Sequence, residues 1–366
     1  MNIHSRHTTL WLLILCLLTL GAPACHHPQD NAADDTNQPS ASSSTTQRKR
    51  SSGKTLELLV AADREVYAGA TRHLIDSLFA HPQVALPQPE PILDVRNIPL
   101  SSFHNTEMFQ VHRNVLVCDV NPTNPDKVYR YIDRYAAPQV VYDIAASSRR
   151  TLDSLLAACA DRFLADLYDC EHRRLIHVYT DFRTEQGLGV SQRVARKTGV
   201  ELVIPNEFTI ATLENNFAWV RKQAKDFDLH LIVNREPYVA LSGAEAGRNR
   251  FDEDIILNHL DTLLKQRVPG PTEGSYMGTE RREYFFSRTL TLDSNYCVET
   301  RGLWRLHNDF MGGPFVCYTI LSPGGREIVT ILGFVYAPRH NKRDYLMQIE
   351  SLCLSARLPH PAAPQS

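Results

Sequence analysis

From His26 to Gly53 (HHPQDNAADDTNQPSASSSTTQRKRSSG) the chain contains no large aliphatic or aromatic side chain. A segment of that composition cannot bury enough apolar surface to offset the entropy lost on ordering, so it reads as a disordered tether. Folding is thereby confined to the residues beyond it. Any globular body starts near residue 54, and the residues ahead of the tether need a separate explanation.

That explanation is export. Leu10 to Leu20 (LWLLILCLLTL) form an apolar run about eleven residues long, against the roughly 20 that a membrane-spanning helix needs. Arg6 ahead of it and the small residues Gly21-Ala22-Pro23-Ala24 behind it complete the pattern of a signal peptide over residues 1–24. Cys25 comes next. This end resembles the lipobox of bacterial lipoproteins, whose cysteine thiol receives a diacylglycerol, although Ala22 stands where that motif usually has leucine. Ala22-Pro23-Ala24 also fits the A-x-A rule of ordinary secretion. The tether favours the lipid anchor, because a flexible spacer serves a body tied to a membrane. Cys25 is therefore the expected lipidation site, with residues 25–53 as anchor and tether. The Arg48-Lys49-Arg50 cluster reads as solvated.

The remainder is long enough for two lobes. Apolar residues make up 43% of the chain and charged residues 22%, ordinary values for a globular protein with a sizeable core. Thirty-nine Lys and Arg against 41 Asp and Glu leave a net charge of −2. No basic excess marks a nucleic-acid partner, and none is expected.

Strands are expected at Leu56–Ala62, Ile92–Ile98, Arg113–Val120 and Gln139–Ala146. Helices are expected near Val66–Ala80, from Asn124-Pro125-Asp126 onward (Val128, Tyr131, Ile132 and Tyr135 at helical spacing), and over Arg149–Cys170 with its stripe of Leu, Cys and Phe. Past a helical stretch at His172–Gly199, strands are expected at Val200–Ile204, Asn216–Arg221, Leu229–Asn234, Tyr284–Leu292, Tyr296–Thr300, Phe315–Leu321 and Glu327–Tyr336. Ser322-Pro323-Gly324-Gly325 joins the last two as a hairpin. Helices at Asp252–Arg267 and Lys342–Leu354 complete the layout. The fold class expected is α+β with two lobes, each a mostly antiparallel sheet with helices packed on one face. The lobes span 54–170 and 171–358, and 359–366 is a disordered tail.

Specific chemistry is hard to find. The chain has no P-loop, G-x-G-x-x-G, H-E-x-x-H or G-x-S-x-G, so neither a cofactor nor a catalytic set is expected. Gly187-x-Gly189 lacks the further glycine of a dinucleotide loop. His172 and His177 are five apart, the wrong interval for two ligands on one helical face, and read as surface residues. Asp252-Glu253-Asp254 is explained by the helix dipole. Six of the eight cysteines come after Cys25, and none forms a C-x-x-C for zinc or redox work. Cys297 and Cys317, in candidate strands of one sheet, are the one plausible disulfide. Cys159 and Cys170, on one helix, are roughly 16 Å apart and cannot pair.

The densest region is the C-terminal quarter: Arg301-Gly302-Leu303-Trp304, Phe310-Met311-Gly312-Gly313-Pro314-Phe315 and Gly333-Phe334-Val335-Tyr336-Ala337-Pro338. Glycines beside aromatics usually mark close backbone approach. The functional alternative is a small pocket walled by Trp304 and Phe315, with Arg301 as its polar contact. Arg339, Lys342 and Arg343 add cations around the start of the last helix, where they cost roughly 0.3–1 kcal/mol each. Something must offset them, either a nearby carboxylate such as Asp344 or a bound anion.

GKTLELLV, LPQPEP, RGLW, FMGGPF and GFVYAP followed by Lys342-Arg343, in that order, resemble a family of Bacteroidetes lipoproteins catalogued as domain of unknown function 4837. The resemblance runs from about Gly53 to Leu354. It implies an outer-membrane or periplasmic lipoprotein with no established activity, and it supplies no catalytic residues. The expectation is a lipid-anchored envelope protein that binds an envelope partner or a small anionic ligand. A periplasmic hydrolase without a recognisable motif is the alternative.

Overall fold

The computed structural model describes residues 49–181 and 185–359. Two sheets organise them. The first has five strands, β1 (Glu57–Ala61), β2 (Asp94–Ile98), β3 (Asn114–Val120), β4 (Lys127–Ile132) and β5 (Val140–Ala146), in the order β2-β1-β3-β5-β4. The second has eight: β6 (Thr209–Glu214), β7 (Phe217–Gln223), β8 (Asp228–Pro237), β9 (Tyr276–Thr279), β10 (Phe286–Leu292), β11 (Asn295–His307), β12 (Gly312–Leu321) and β13 (Glu327–Tyr336). Their order is β10-β11-β12-β13-β8-β7-β6, with β9 sharing the outer edge of β11 with β10. The helices are α1 (Gly69–Phe79), the short α2 (Leu100–Asn105) and α3 (Glu107–Gln110), the long α4 (Arg149–Asp181), α5 (Glu185–Thr198), α6 (Glu253–Arg267) and α7 (Arg343–Leu354).

The chain has the two-lobed α+β class that its sequence implies. The expectation that each sheet is mostly antiparallel with helices on one face is corrected: the first sheet is mostly parallel, and helices cover both faces of each. Every pairing in the second sheet is antiparallel. In the first, β1 runs parallel to β2 and β3, and β3 parallel to β5, while β4 is antiparallel to β5. The strand sequences explain the parallel core. Leu58 and Val60, Leu116 and Cys118, and Val140, Tyr142 and Ile144 face α1 and α4, whereas Ala61, Val115, Val117 and Val141 face the α2–α3 side. Strands covered on both faces need apolar residues at every position, which is the mark of a parallel sheet.

Between the sheets lie α4 and α7. Leu346, Ile349, Leu352 and Cys353 of α7 enter the core of the second sheet, and Met347 enters that of the first. Full burial of such a side chain contributes roughly 1.5–3 kcal/mol, which fixes α7 in place whatever its ends cost. On the other face of the second sheet, Leu257, Leu260, Leu263 and Leu264 of α6 pack against Phe217, Ile232, Leu332 and Phe334.

Several expectations are corrected. Lys127–Ile132 is an edge strand, β4, not the helix expected after Asn124-Pro125-Asp126. Asp126 takes a left-handed φ of 53°, and its carboxylate accepts the Ser147 N–H and hydroxyl, which ends any helix there. Val200–Ile204 buries Val200, Leu202 and Ile204 but forms a single bridge, Glu201 with Arg357, because no strand runs beside it. β6 and β9 have no counterpart among the expected strands. The lobe boundary expected at 170/171 falls inside α4, where Glu171 accepts Asn114 Nδ2 at 2.8 Å and Arg113 Nη1 at 3.0 Å and ties the helix to the first sheet. The last residues of the expected tether, 49–53, belong to the body: Ser52 N donates to Val111 O at 2.9 Å, Ala137 N donates to Lys49 O at 2.9 Å, and Lys49 pairs with Glu107. The expected signal peptide, Cys25, Arg48 and residues 360–366 lie outside the described residues.

Candidate functional site

β11 is longer than its sequence suggests and carries both Arg301 and Trp304. Successive side chains on a strand point to opposite faces, and the two are three positions apart. Arg301 therefore faces α7, while Trp304 faces the α6 side, so they cannot line one pocket. Arg301 is paired by Nε with Glu299 and by Nη2 with Glu350 of α7. Tyr318 Oη donates to Glu350 at 3.4 Å, and His172 lies 3.8 Å from the same carboxylate while bonding Ser351 Oγ at 2.9 Å. Burial opposes the charge on Arg301, but Glu350 and Glu299 outweigh it and hold the guanidinium well above its usual pKa. This set of charges binds α7 to β11 and α4 and is already satisfied. His172 belongs to it rather than to the surface; His177 is exposed.

The expected cation cluster is also answered from within. Lys342 caps α7, and its backbone N–H donates to Glu90 Oε1 at 2.7 Å; the Arg343 N–H donates to Glu90 Oε2 at 3.0 Å. Lys342 Nζ donates to Gln88 Oε1 at 2.8 Å. Arg343 reaches Asp94 Oδ2 at 2.8 Å, Asp344 Oδ1 at 2.9 Å and Pro91 O at 2.8 Å. The anion at this helix N-terminus is thus the chain's own Glu90, 4% exposed, on the proline-rich loop of the other lobe. Arg339 does not join the group. It lines a separate hollow of about 240 Å³ with Lys225, Asp226, Asp228 and His340.

Cys297 and Cys317 are corrected in the same way. Cys297 opposes Ile320, and Cys317 opposes Thr300. Three positions out of register, they point to opposite faces, Cys297 into the core under α7 and Cys317 into the core under α6. All six cysteines of the body are free.

A concavity lies where α6 stops covering the second sheet. On β7, Phe217, Trp219, Arg221 and Gln223 alternate onto one face; across the ladder Ile232, His230 and Asp228 oppose the last three. Beyond Arg267 the Val268–Pro271 turn crosses over this face, held by Met277 N to Val268 O at 3.0 Å. The space between encloses about 300 Å³ and is lined by Trp219, Trp304, Phe334, Met277, Met311 and Leu306, with Arg221, Gln223, Asp228 and His230 at one end. Trp304 lines this concavity without Phe315 or Arg301. Its indole lies over Gly313, its cross-strand partner, and donates to Val335 O at 3.1 Å. A Cβ at Gly313 would stand 2.1 Å from that carbonyl oxygen and 3.2 Å from the indole nitrogen. Only glycine leaves room there, and Phe315 packs deeper in the same core.

His230 is the most perturbed group of the cleft. It is 8% exposed and stacks on Phe334, with ring centroids 4.4 Å apart and planes at 2°. Trp219 Nε1 donates to its Nδ1 at 3.2 Å, which puts the proton of the neutral ring on Nε2. Burial, aided by the Arg221 charge, pushes its pKa down to about 3, so the ring is neutral at physiological pH. Burial raises the pKa of Asp228, against the Ala224 N–H, the Gln223 amide and Arg221. Arg221 itself has its Nε buried without a hydrogen-bond partner. Such a site can hold a flat apolar body against aromatic walls with a polar group at the Arg221 end.

Sequence reasoning missed Trp219, Arg221 and His230. The period-two alternation of Phe217, Trp219 and Arg221 was visible, but the facing strand that completes the cleft is set by the sheet.

Residues 51–180 match a family model described as Domain of unknown function (DUF8532), and residues 188–355 match another, Domain of unknown function (DUF4837). GKTLELLV and LPQPEP fall in the first segment, so the resemblance to DUF4837 is narrower than those motifs implied. The two segments part beyond residue 180, not at 170/171. No curated protein matches the chain. Every residue lining the cleft lies within 188–355, the segment that is similar to the domain of unknown function 4837.

Proposed function

We propose that the chain is an exported envelope protein, anchored by lipid on Cys25 at the periplasmic side of the outer membrane, whose C-terminal lobe binds a small molecule in the Trp219–Trp304 cleft. One observation carries the binding reading: a concavity of about 300 Å³ with two tryptophans and Phe334 in its walls and a few polar groups at one end, at the lower limit of the size range of ligand sites. Binding is favoured over hydrolysis. The lining offers no Ser, Thr or Cys as nucleophile, and His230 is engaged by Trp219 and Phe334. Anchoring rests on the signal peptide, Cys25 and the tether, since the two acyl chains of a diacylglycerol on Cys25 meet the two-chain requirement for stable attachment. Among the described residues no helix is long and apolar enough to cross a membrane. A partner protein is a second reading, favoured by the aromatic group of Phe251 with the exposed Tyr238 and Tyr296, whose rings lie 6.3 and 5.0 Å from that of Phe251.

Trp219 and Trp304 are the tryptophans that remain once the signal peptide with Trp11 is removed, so tryptophan emission reports on the cleft. Titration with N-phenyl-1-naphthylamine should give saturable energy transfer at about one site per chain. A linear, unsaturable response would sink the cleft reading. Separately, Cys25→Ser should move the protein from the membrane to the soluble periplasmic fraction. Identical partitioning of wild type and variant would remove the anchor.

A further inference from the structure

The polar end of the cleft contains a guanidinium with a buried donor that no acceptor meets. Arg301, Lys342 and Arg343, the cations that the sequence singled out beside Arg339, all have carboxylate or carbonyl partners inside the fold. Arg221 differs. It sits on β7 opposite His230, lines the cleft, and its Nε is buried with no acceptor. A buried donor left unpaired is costly, so the position favours a ligand that supplies an acceptor. Asp228, across the ladder from Gln223, does not fill that role. Its carboxylate feels the Arg221 charge but is engaged by the Ala224 N–H and the Gln223 amide at the hairpin end, and it leaves the Arg221 Nε without an acceptor. His230 brings no second positive charge, because it is neutral, and its Nδ1 is taken by Trp219.

We propose that the ligand of this cleft is an organic anion, a flat apolar body carrying one carboxylate or sulfonate that the Arg221 guanidinium holds. The inference rests on the reading of the cleft as a ligand site and specifies what that site selects. Arginine presents a planar fork of donors matched to a carboxylate or sulfonate edge, and a charge-assisted pair is about twice as strong as a neutral one. The apolar walls of Trp219, Trp304, Phe334, Met277 and Met311 take the rest of the molecule. A cationic ligand would be repelled by the Arg221 charge. A zwitterion would need a free carboxylate for its ammonium group, and Asp228 is already engaged.

A matched pair of probes separates this inference from the reading beneath it. 8-Anilinonaphthalene-1-sulfonate and N-phenyl-1-naphthylamine share one ring system, and only the first carries a sulfonate. Tryptophan-sensitised emission of each is titrated against wild type, Arg221→Gln and Arg221→Lys. The expected result is wild-type binding of the sulfonate probe at least about tenfold tighter than the neutral one. Arg221→Gln should erase that advantage and leave the neutral probe's affinity unchanged, and Arg221→Lys should keep part of it. Arg221 is not tied into the fold by an ion pair among the described residues, so the variants should fold, with a thermal midpoint as the check. Equal affinities in wild type, or a preference that survives Arg221→Gln, would overturn the anion inference and leave the cleft standing. If neither probe binds wild type, the cleft reading fails and the inference with it.

Discussion

Glu90→Ala should cost far more than a surface substitution, although Glu90 lies in a loop with no regular structure of its own. In the folded chain this side chain accepts the Lys342 and Arg343 backbone N–H groups at 2.7 and 3.0 Å, and α7 has no other side-chain cap. Removing both acceptors leaves two buried donors at a helix N-terminus. Each unsatisfied donor costs about 1–3 kcal/mol, and the favourable interaction of a carboxylate with the helix dipole adds about 0.3–1 kcal/mol. Allowing for water entering the space left by the side chain, the loss should be about 3–4 kcal/mol. Glu90→Gln keeps one neutral acceptor and should lose about 1–2 kcal/mol. Urea unfolding of the mature chain, followed by tryptophan fluorescence and far-UV circular dichroism, measures both. A second arm uses millimolar sulfate against chloride of equal ionic strength. The Ala variant exposes a vacant anion position at a helix N-terminus and should regain stability with sulfate, whereas wild type should be indifferent. A loss below about 1 kcal/mol for Glu90→Ala, or an equal sulfate response in wild type, would refute the assignment of Glu90 as the internal anion.

Acid stability should depend on His230. Its pKa is depressed from 6.5 to about 3, so the unfolded chain binds the proton more readily. Stability is then complete above pH 6.5 and declines as pH falls toward 3, by about 1.4 kcal/mol per unit for this one group. His230→Gln should flatten the decline by that amount between about pH 6 and 4 in urea unfolding; an unchanged slope would show that the imidazole is not held neutral. Gly313→Ala should destabilise the C-terminal lobe by about 3 kcal/mol, because the new methyl meets a backbone carbonyl that cannot move aside, and thermal unfolding with a cost under about 1 kcal/mol would contradict this. Thiol titration of the denatured, unreduced body should find six reactive thiols, and a lower count would mean that a bridge forms.

Local sequence patterns determined a good deal. The helical stripe from Arg149, the acid-to-base polarity of α6, the Ser322–Gly325 hairpin and the spacing of Leu346, Ile349 and Leu352 each depend on neighbours a few residues apart, and each element stands where its pattern puts it. Such features follow from periodicity and capping, which are properties of a short stretch of chain. β4 shows the limit of that logic. Val128, Tyr131, Ile132 and Tyr135 fit a helical stripe, yet the segment is also rich in β-branched and aromatic residues, and the free edge of β5 decided between the two.

The candidate site was decided at the tertiary level. Arg301 and Trp304 are close in the chain and so read as neighbours in one pocket; strand parity sends them to opposite faces, which is hidden as long as the strand is taken to stop at Thr300. The sequence also established that cations at the start of α7 need an offsetting anion, without saying where one would come from. The anion stands 252 residues away from Lys342, on a loop of the other lobe. Likewise the parallel order of the first sheet, and the meeting of Trp219, His230, Phe334 and Trp304 around one cleft, come from strands brought side by side by long-range pairing. The proposed export, lipid anchor and tether rest on composition and need no partner to be read. A binding site needs side chains from distant strands at fixed separations, and packing the two sheets around α4 and α7 is what sets those separations.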